Sequence, residues 1–202
     1  MWLGLLCVFC ISNPAFSAVI NITTPLVISG TDTAYDGHDI VVTDTTLTVD
    51  GPHTFNSVEL VNSVLTHSVA TSKLSISAQT ITVDATSRID VTARGLLPSA
   101  AVTGFSGGSH GGPGGPYNGT TNATYGDLRA PIDYGTGGRG RNGRQSRGGG
   151  AIKLIANELN LQGQIIAHGQ TYGETTPSAG GGSGGSIWLD VGVLSGAGDM
   201  VQ

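Results

Sequence analysis

The sequence predicts an all-β fold, a single-stranded right-handed parallel β-helix, or β-solenoid. Three observations predict it: short segments of alternating apolar and polar residues, no apolar stripe of helical period, and an internal repeat without gaps. The composition agrees. Of 202 residues 33 are Gly, 11% are charged and 5% aromatic, and Thr, Val, Ile and Ser fill the stretches between glycines, which suits strands rather than helices. Gly does not recur at every third position and 38% of the chain is hydrophobic, so neither collagen nor a wholly disordered chain fits. The net charge of -5 argues against nucleic acid as a partner for the chain as a whole.

Residues 1–18, MWLGLLCVFCISNPAFSA, read as a secretory signal peptide. Met1 to Ile11 is an uncharged apolar run, too short for the roughly 30 Å of a bilayer core, and small residues follow Pro14. No Lys or Arg precedes the run, and cleavage after Ser17 or after Ala18 fits. The predicted location is secreted or cell surface, with no transmembrane segment in the mature chain. Both cysteines, Cys7 and Cys10, fall in the leader, so the mature chain has to be held by packing and backbone hydrogen bonds rather than disulfides. Asn21, Asn118 and Asn122 each open an Asn-x-Thr sequon, a glycosylation acceptor if the chain passes through a eukaryotic secretory pathway.

Residues 19–95 are expected to form N-terminal β-helix rungs. The pairs Leu47/Val49, Val58/Leu60, Leu74/Ile76, Ile81/Val83 and Ile89/Val91 each place two apolar side chains on one face, with Thr, Ser or Asp on the other. An antiparallel β-sandwich is the alternative. It asks for two-residue hairpins, and of Asp36-Gly37, Asp50-Gly51, Asn118-Gly119 and Asn142-Gly143 only Asp50-Gly51 lies directly between alternating segments. The repeat favours the solenoid. Ile152, Leu154, Leu159 and Gly163 recur as Ile187, Leu189, Leu194 and Gly198, and Leu74, Ile76, Ala78, Ile81 and Val83 fit the same frame. Residues 151–202 are thus read as further rungs, incomplete at the C-terminus. Between them, residues 96–150 hold 17 glycines and read as a glycine-rich loop excursion, with a second, shorter Gly cluster at 178–185.

The unit GGGAIKLIANELNLQGQIIAHGQ, followed by GGGSGGSIWLDVGVLSGAGDM, and GDLRAPIDYGTGG at 126–138 resemble the glycine-rich parallel β-helix, pectin-lyase-like solenoid segments of large secreted or cell-surface proteins. The resemblance covers residues 25–202. It implies an N-terminal fragment of such a protein acting as a structural or adhesive module of the cell surface or extracellular matrix, with no transferable catalytic set. Its open C-terminal edge would take a downstream segment of the same polypeptide or another chain.

The chemistry-bearing motifs are sparse. G-x-S-x-G occurs around Ser106, Ser109 and Ser183, but a nucleophile elbow needs a strand before the Ser and a helix after it, and glycine tracts produce this pattern freely. A polysaccharide lyase or glycoside hydrolase on the same fold is the alternative function, and it needs convergent carboxylates. Asp44, Asp50, Asp84, Asp90, Asp127, Asp133 and Asp190 form no Asp-Asp or Asp-x-Asp cluster. No zinc or calcium motif and no cofactor motif is present. Arg139, Arg141, Arg144 and Arg147 concentrate positive charge in one stretch, with Tyr117, Tyr125 and Tyr134 flanking it. These seven residues are the expected ligand-binding set, and a glycan or an anionic cell-surface ligand is the expected partner.

Overall fold

The computed structural model describes residues 17–171, 180–197 and 201–202. The expected signal peptide at 1–18 lies outside the described residues except for Ser17 and Ala18. In chain order the strands are β1 (Val19–Ile22), β2 (Leu26–Ile28), β3 (Asp39–Thr43), β4 (Thr46–Val49), β5 (Gly51–Thr54) and β6 (Ser57–Val61). They continue with β7 (Val64–Thr66), β8 (Leu74–Val83), β9 (Arg88–Asp90), β10 (Ala151–Leu161), β11 (Gln164–Ile166) and β12 (Ser186–Gly196). Among the described residues one 3₁₀ turn, Arg141–Gly143, is the only helical element, and no helix is long and apolar enough to cross a membrane.

The strands form two separate parallel sheets, interleaved in sequence. The seven-stranded sheet runs β1-β3-β6-β8-β10-β12 with β5 added against β8, and the five-stranded sheet runs β11-β9-β7-β4-β2. Period-two alternation explains why the strands inside the sheets bury one face, whereas β12 at the edge of the larger sheet buries only Ser186. In the larger sheet Ile40, Val58, Ile81 and Leu159 align as neighbours and are at most 1% exposed. Leu47, Leu65, Ile89 and Ile165 do the same in the smaller sheet, all fully buried. Tight corners rest on residues that tolerate the left-handed region. Asp44 (φ 55°) and Asn62 (φ 48°) stack, with Asn62 Nδ2 donating to Asp44 Oδ1 at 2.7 Å.

This architecture corrects the expected β-solenoid. A solenoid of one repeating rung keeps a constant interval between partners, whereas here the interval changes at every step. Val19 pairs with Asp39, Asp39 with Ser57, Ser57 with Thr80, Leu74 with Ile152 and Ala151 with Ser186. Strand length also ranges from 3 residues in β7 to 11 in β10. The connections run from one residue, at Asp50, to sixty, at 91–150, so the register shared by β8, β10 and β12 does not extend to the N-terminal strands at one constant interval. The antiparallel sandwich is corrected as well, since every named strand pair is parallel.

The resemblance to pectin-lyase-like solenoid segments falls with the uniform rung. So do the rod-like structural or adhesive role drawn from it and the lyase or hydrolase reading, which rested on the same fold. The stacking partner is corrected by the chain itself. Val201 bridges Ile165 at the edge of the smaller sheet, Gln202 N donates to Ile165 O at 2.9 Å, and Ala167 N donates to Gln202 O at 2.9 Å.

The glycine tracts pack backbone against backbone beside these sheets. Gly95 N donates to Gly148 O, Gly148 N to Leu96 O and Leu96 N to Gly135 O, at 2.8, 3.0 and 2.9 Å. Gly135 N donates to Gly149 O, Gly149 N to Ser183 O and Ser183 N to Thr136 O, each at 2.9 Å. A Cβ on Gly148 would overlap the backbone of Gly135, and one on Gly149 the carbonyl of Ala167, although neither glycine has a positive φ. Space, not conformational freedom, is what requires glycine there. The lateral loop of a rod that was to present a glycan or cell-surface ligand is corrected with the solenoid; within this segment 135–138 and 148–150 are buried, whereas 115–120 and 126–129 are exposed.

Candidate functional site

The four arginines divide into two pairs. Arg139 N donates to Ser106 O at 2.9 Å, and Arg139 and Gln145 form an antiparallel bridge. Between them Arg144 N donates to Arg141 O at 3.3 Å, with Asn142 at φ 58° and Gly143 at φ 74°. Two successive positive φ values mark a type I′ turn, for which Asn-Gly is the favoured pair. This is a short hairpin, at a dipeptide whose flanks lack the alternation of ordinary strands. Its tip exposes Arg141 and Arg144, while Arg139 and Arg147 are half-buried at its root.

The root is anchored. Arg147 N donates to Gln170 Oε1 at 3.0 Å and one guanidinium nitrogen donates to Gly95 O at 3.2 Å. The Nε of Arg139 is buried without a hydrogen-bond partner among the described residues. Neither tip arginine takes part in an ion pair among the described residues; the pairs found there are His53–Asp36 and Arg88–Asp90. At the tip, then, two exposed arginines stand three positions apart on one tight turn, with no ion pair among the described residues.

The tyrosines are not gathered around that tip. Among the described residues the cation–ring contacts are those of Lys73 and Lys153, with no arginine, and Phe105 N donates to Tyr117 O. Tyr117 is 60% exposed, with its ring beside Phe105 at 6.0 Å. The hydroxyl of Tyr125 bonds Tyr134 O and the Thr136 hydroxyl, and burial together with Asp133 pushes its pKa up. Tyr134 is half-buried, and its pKa is likewise raised by burial and by the charge of Asp50.

Tyr134 belongs to a second constellation that spacing alone does not single out. His67 is fully buried; its ring lies 5.9 Å from that of Tyr134, Nδ1 is 2.6 Å from Ser68 O, and Nε2 accepts from Ala151 N at 3.3 Å. With an acceptor on one side and a donor on the other, Nδ1 carries the proton. Burial lowers the pKa of His67. Lys73 Nζ stands 5.4 Å from the centroid of the Tyr134 ring, and Lys153 Nζ stands 4.3 Å over Trp188. The signal for this second pair was in the sequence, because Lys153 and Trp188 occupy the same place in the two repeat copies and are cross-strand partners.

The three sequons differ. Asn21 is exposed on β1, and Asn118 is exposed at a turn with φ 50°. The amide of Asn122 is occupied: Oδ1 accepts from Ser109 N at 2.8 Å, and Nδ2 donates to Ser109 O and Ala123 O at 3.0 and 2.9 Å.

The serines of the three G-x-S-x-G matches brace the glycine backbone. Ser106 Oγ accepts from Tyr117 N, Ser109 Oγ from Gly114 N and Ser183 Oγ from Thr136 N. His110, next to Ser109 in sequence, turns its Nδ1 to Gly184 O at 3.0 Å. Among the described residues no group of three or more His, Cys, Asp or Glu is placed to hold a metal ion. The chain matches no family model, no curated protein and no solved structure.

Proposed function

We propose that this is an exported binding protein whose hairpin tip captures the oxyanion of a dissolved ligand between Arg141 and Arg144. The carrying observation is the turn itself: Asn142 and Gly143 at positive φ hold the two exposed arginines at its ends. A guanidinium presents a planar fork that matches carboxylate and phosphate oxygens two at a time. Two forks fixed on a rooted turn lose less side-chain entropy on binding than two on a mobile loop. Arg139 and Arg147 serve as the root, and Tyr117 stands apart on the neighbouring segment.

Export rests on the leader and on the absence of cysteine from the chain that follows it. The contacts of Ala18 favour one of the two cleavage points. Ala18 N donates to His38 Nδ1 at 3.2 Å and Ala18 O accepts from Asp39 N at 3.0 Å. Cleavage after Ser17 preserves both, with Ala15 and Ser17 as the small residues of the site.

The test is a phosphate titration followed by calorimetry at low and at physiological ionic strength. The wild-type protein binds, more weakly at higher salt, and the double variant Arg141→Gln/Arg144→Gln loses at least tenfold. Gly143→Val, which keeps both arginines but cannot hold the turn without strain, weakens binding as well. Equal binding by the wild-type protein and the double Gln variant removes the assigned role.

A further inference from the structure

The only two lysines in the chain, Lys73 and Lys153, line one cleft. The convergence follows from register. Lys73 immediately precedes β8, Lys153 is the third residue of β10, and Ser75 is the cross-strand partner of Lys153. Alternation sends Leu74, Ile76, Ile152 and Leu154 into the core, where each is at most 1% exposed, and leaves Ser75 and Lys153 on the outer face. Ile132, from the segment after Leu128, flanks this face, and an open cleft of about 220 Å³ is lined also by Leu74, Ala151 and Ile152.

Each ammonium is held by a ring rather than by a carboxylate. Lys73 lies over Tyr134 and Lys153 over Trp188, and neither lysine is ion-paired among the described residues. A cation over an aromatic face is attracted by the ring's quadrupole. That attraction restrains the stems while leaving the charges unneutralised. In a chain of net charge -5, the cleft brings together two positive charges, with Ile132 and the lysine stems as its exposed apolar surface.

We propose that this cleft binds a small carboxylate with a single-ring apolar body, the carboxylate set between the two ammonium groups and the ring against Ile132. Size and charge choose the occupant together. An apolar cavity of about 150 Å³ accommodates benzene, so an open cleft of about 220 Å³ has room for one ring and its carboxylate. Inorganic phosphate satisfies the charges and leaves the apolar surface uncovered. A neutral ring covers that surface and leaves the charges unpaired. The site shares no residue with the arginine hairpin, so its success or failure is independent of the function assigned there.

The probe is benzoate, titrated against the protein with backbone amide chemical shifts as readout and with benzamide and inorganic phosphate as parallel arms. Benzoate should shift residues 73–75, 132 and 151–153 saturably, while benzamide and phosphate bind at least tenfold more weakly. Lys73→Met and Lys153→Met should each weaken benzoate about tenfold, and Ile132→Asp, at a position already 41% exposed, should abolish it without unfolding the chain. Arg141→Gln/Arg144→Gln should leave it unchanged. Benzamide or phosphate binding as well as benzoate, or either Lys→Met variant binding normally, overturns the proposal.

Discussion

The Nε2 of His67 accepts the backbone N–H of Ala151 at 3.3 Å, across 84 positions of sequence. The bond ties the end of β7 to the start of β10, on the far side of the glycine-rich segment. The imidazole also leaves no room for a side chain at Gly150, where a Cβ would overlap it. One neutral ring thus fixes where the glycine tract rejoins the sheets.

This bond makes stability depend on pH in a defined direction. Burial lowers the folded pKa of His67, while Asp50 opposes the shift and Arg94 adds to it; Tyr134 packs alongside. The unfolded chain, with a histidine pKa of about 6.5, takes up the proton first. Stability is fully present above that value and is lost as pH falls through it toward the folded pKa. Urea midpoints measured between pH 7.5 and 5 should fall more steeply for the wild-type protein than for His67→Gln. Parallel slopes would remove His67 from the account.

Glycine substitutions should separate packing from flexibility. Gly148→Ala places a methyl group in the Gly135 backbone, whereas Gly112→Ala meets nothing within 4 Å, and both positions have ordinary φ. Overpacking costs about 1–3 kcal/mol, and more where only backbone can move. Thermal unfolding should show a clear loss for Gly148→Ala and almost none for Gly112→Ala. Equal, small effects would mean that the tracts do not touch.

The apolar column formed by Val58, Ile81, Leu159 and Leu194 is graded along its length. Leu159 is fully buried and Leu194 is 56% exposed. Leu159→Ala should cost about 2–5 kcal/mol, and Leu194→Ala under about 1 kcal/mol. The difference in denaturant midpoint checks the direction in which the sheet is covered.

Expression through a eukaryotic secretory pathway should leave glycan on Asn21 and Asn118 and none on Asn122, whose amide is used within the fold. Glycopeptide mass spectrometry reads all three positions, and the same spectra report whether the mature chain begins at Ala18.

Much of the core was legible in the sequence, because period two is a local property. Leu47, Val49, Val58, Leu60, Leu74, Ile76, Ile81, Val83, Ile89 and Val91 are all buried, at 1% exposure or less. The residues aligned by the repeat, Ile152 with Ile187 and Leu154 with Leu189, are hydrogen-bonded neighbours. The rung was not legible, since nothing local sets how far the chain travels before Ile152 meets Leu74. The site was half legible. Clustering found the arginines, but which of them stay exposed depends on Gln170 and Gly95, distant partners of Arg147. The hairpin was hidden because Asn142-Gly143 lies among glycines and arginines instead of alternating residues. The lysine cleft needed both the cross-strand register and Ile132, which reaches the sheet from a segment without periodicity.

The central claim is that the glycine-rich segment is packed structure that roots the arginine hairpin. Amide hydrogen exchange tests it most directly. The account predicts slow exchange at Gly95, Leu96, Gly135, Gly148, Gly149 and Ser183, whose N–H groups all donate within the glycine array, with fast exchange at the hairpin tip around Asn142. Uniformly fast exchange from Leu96 to Gly150 would contradict it and would leave Arg141 and Arg144 on a mobile loop.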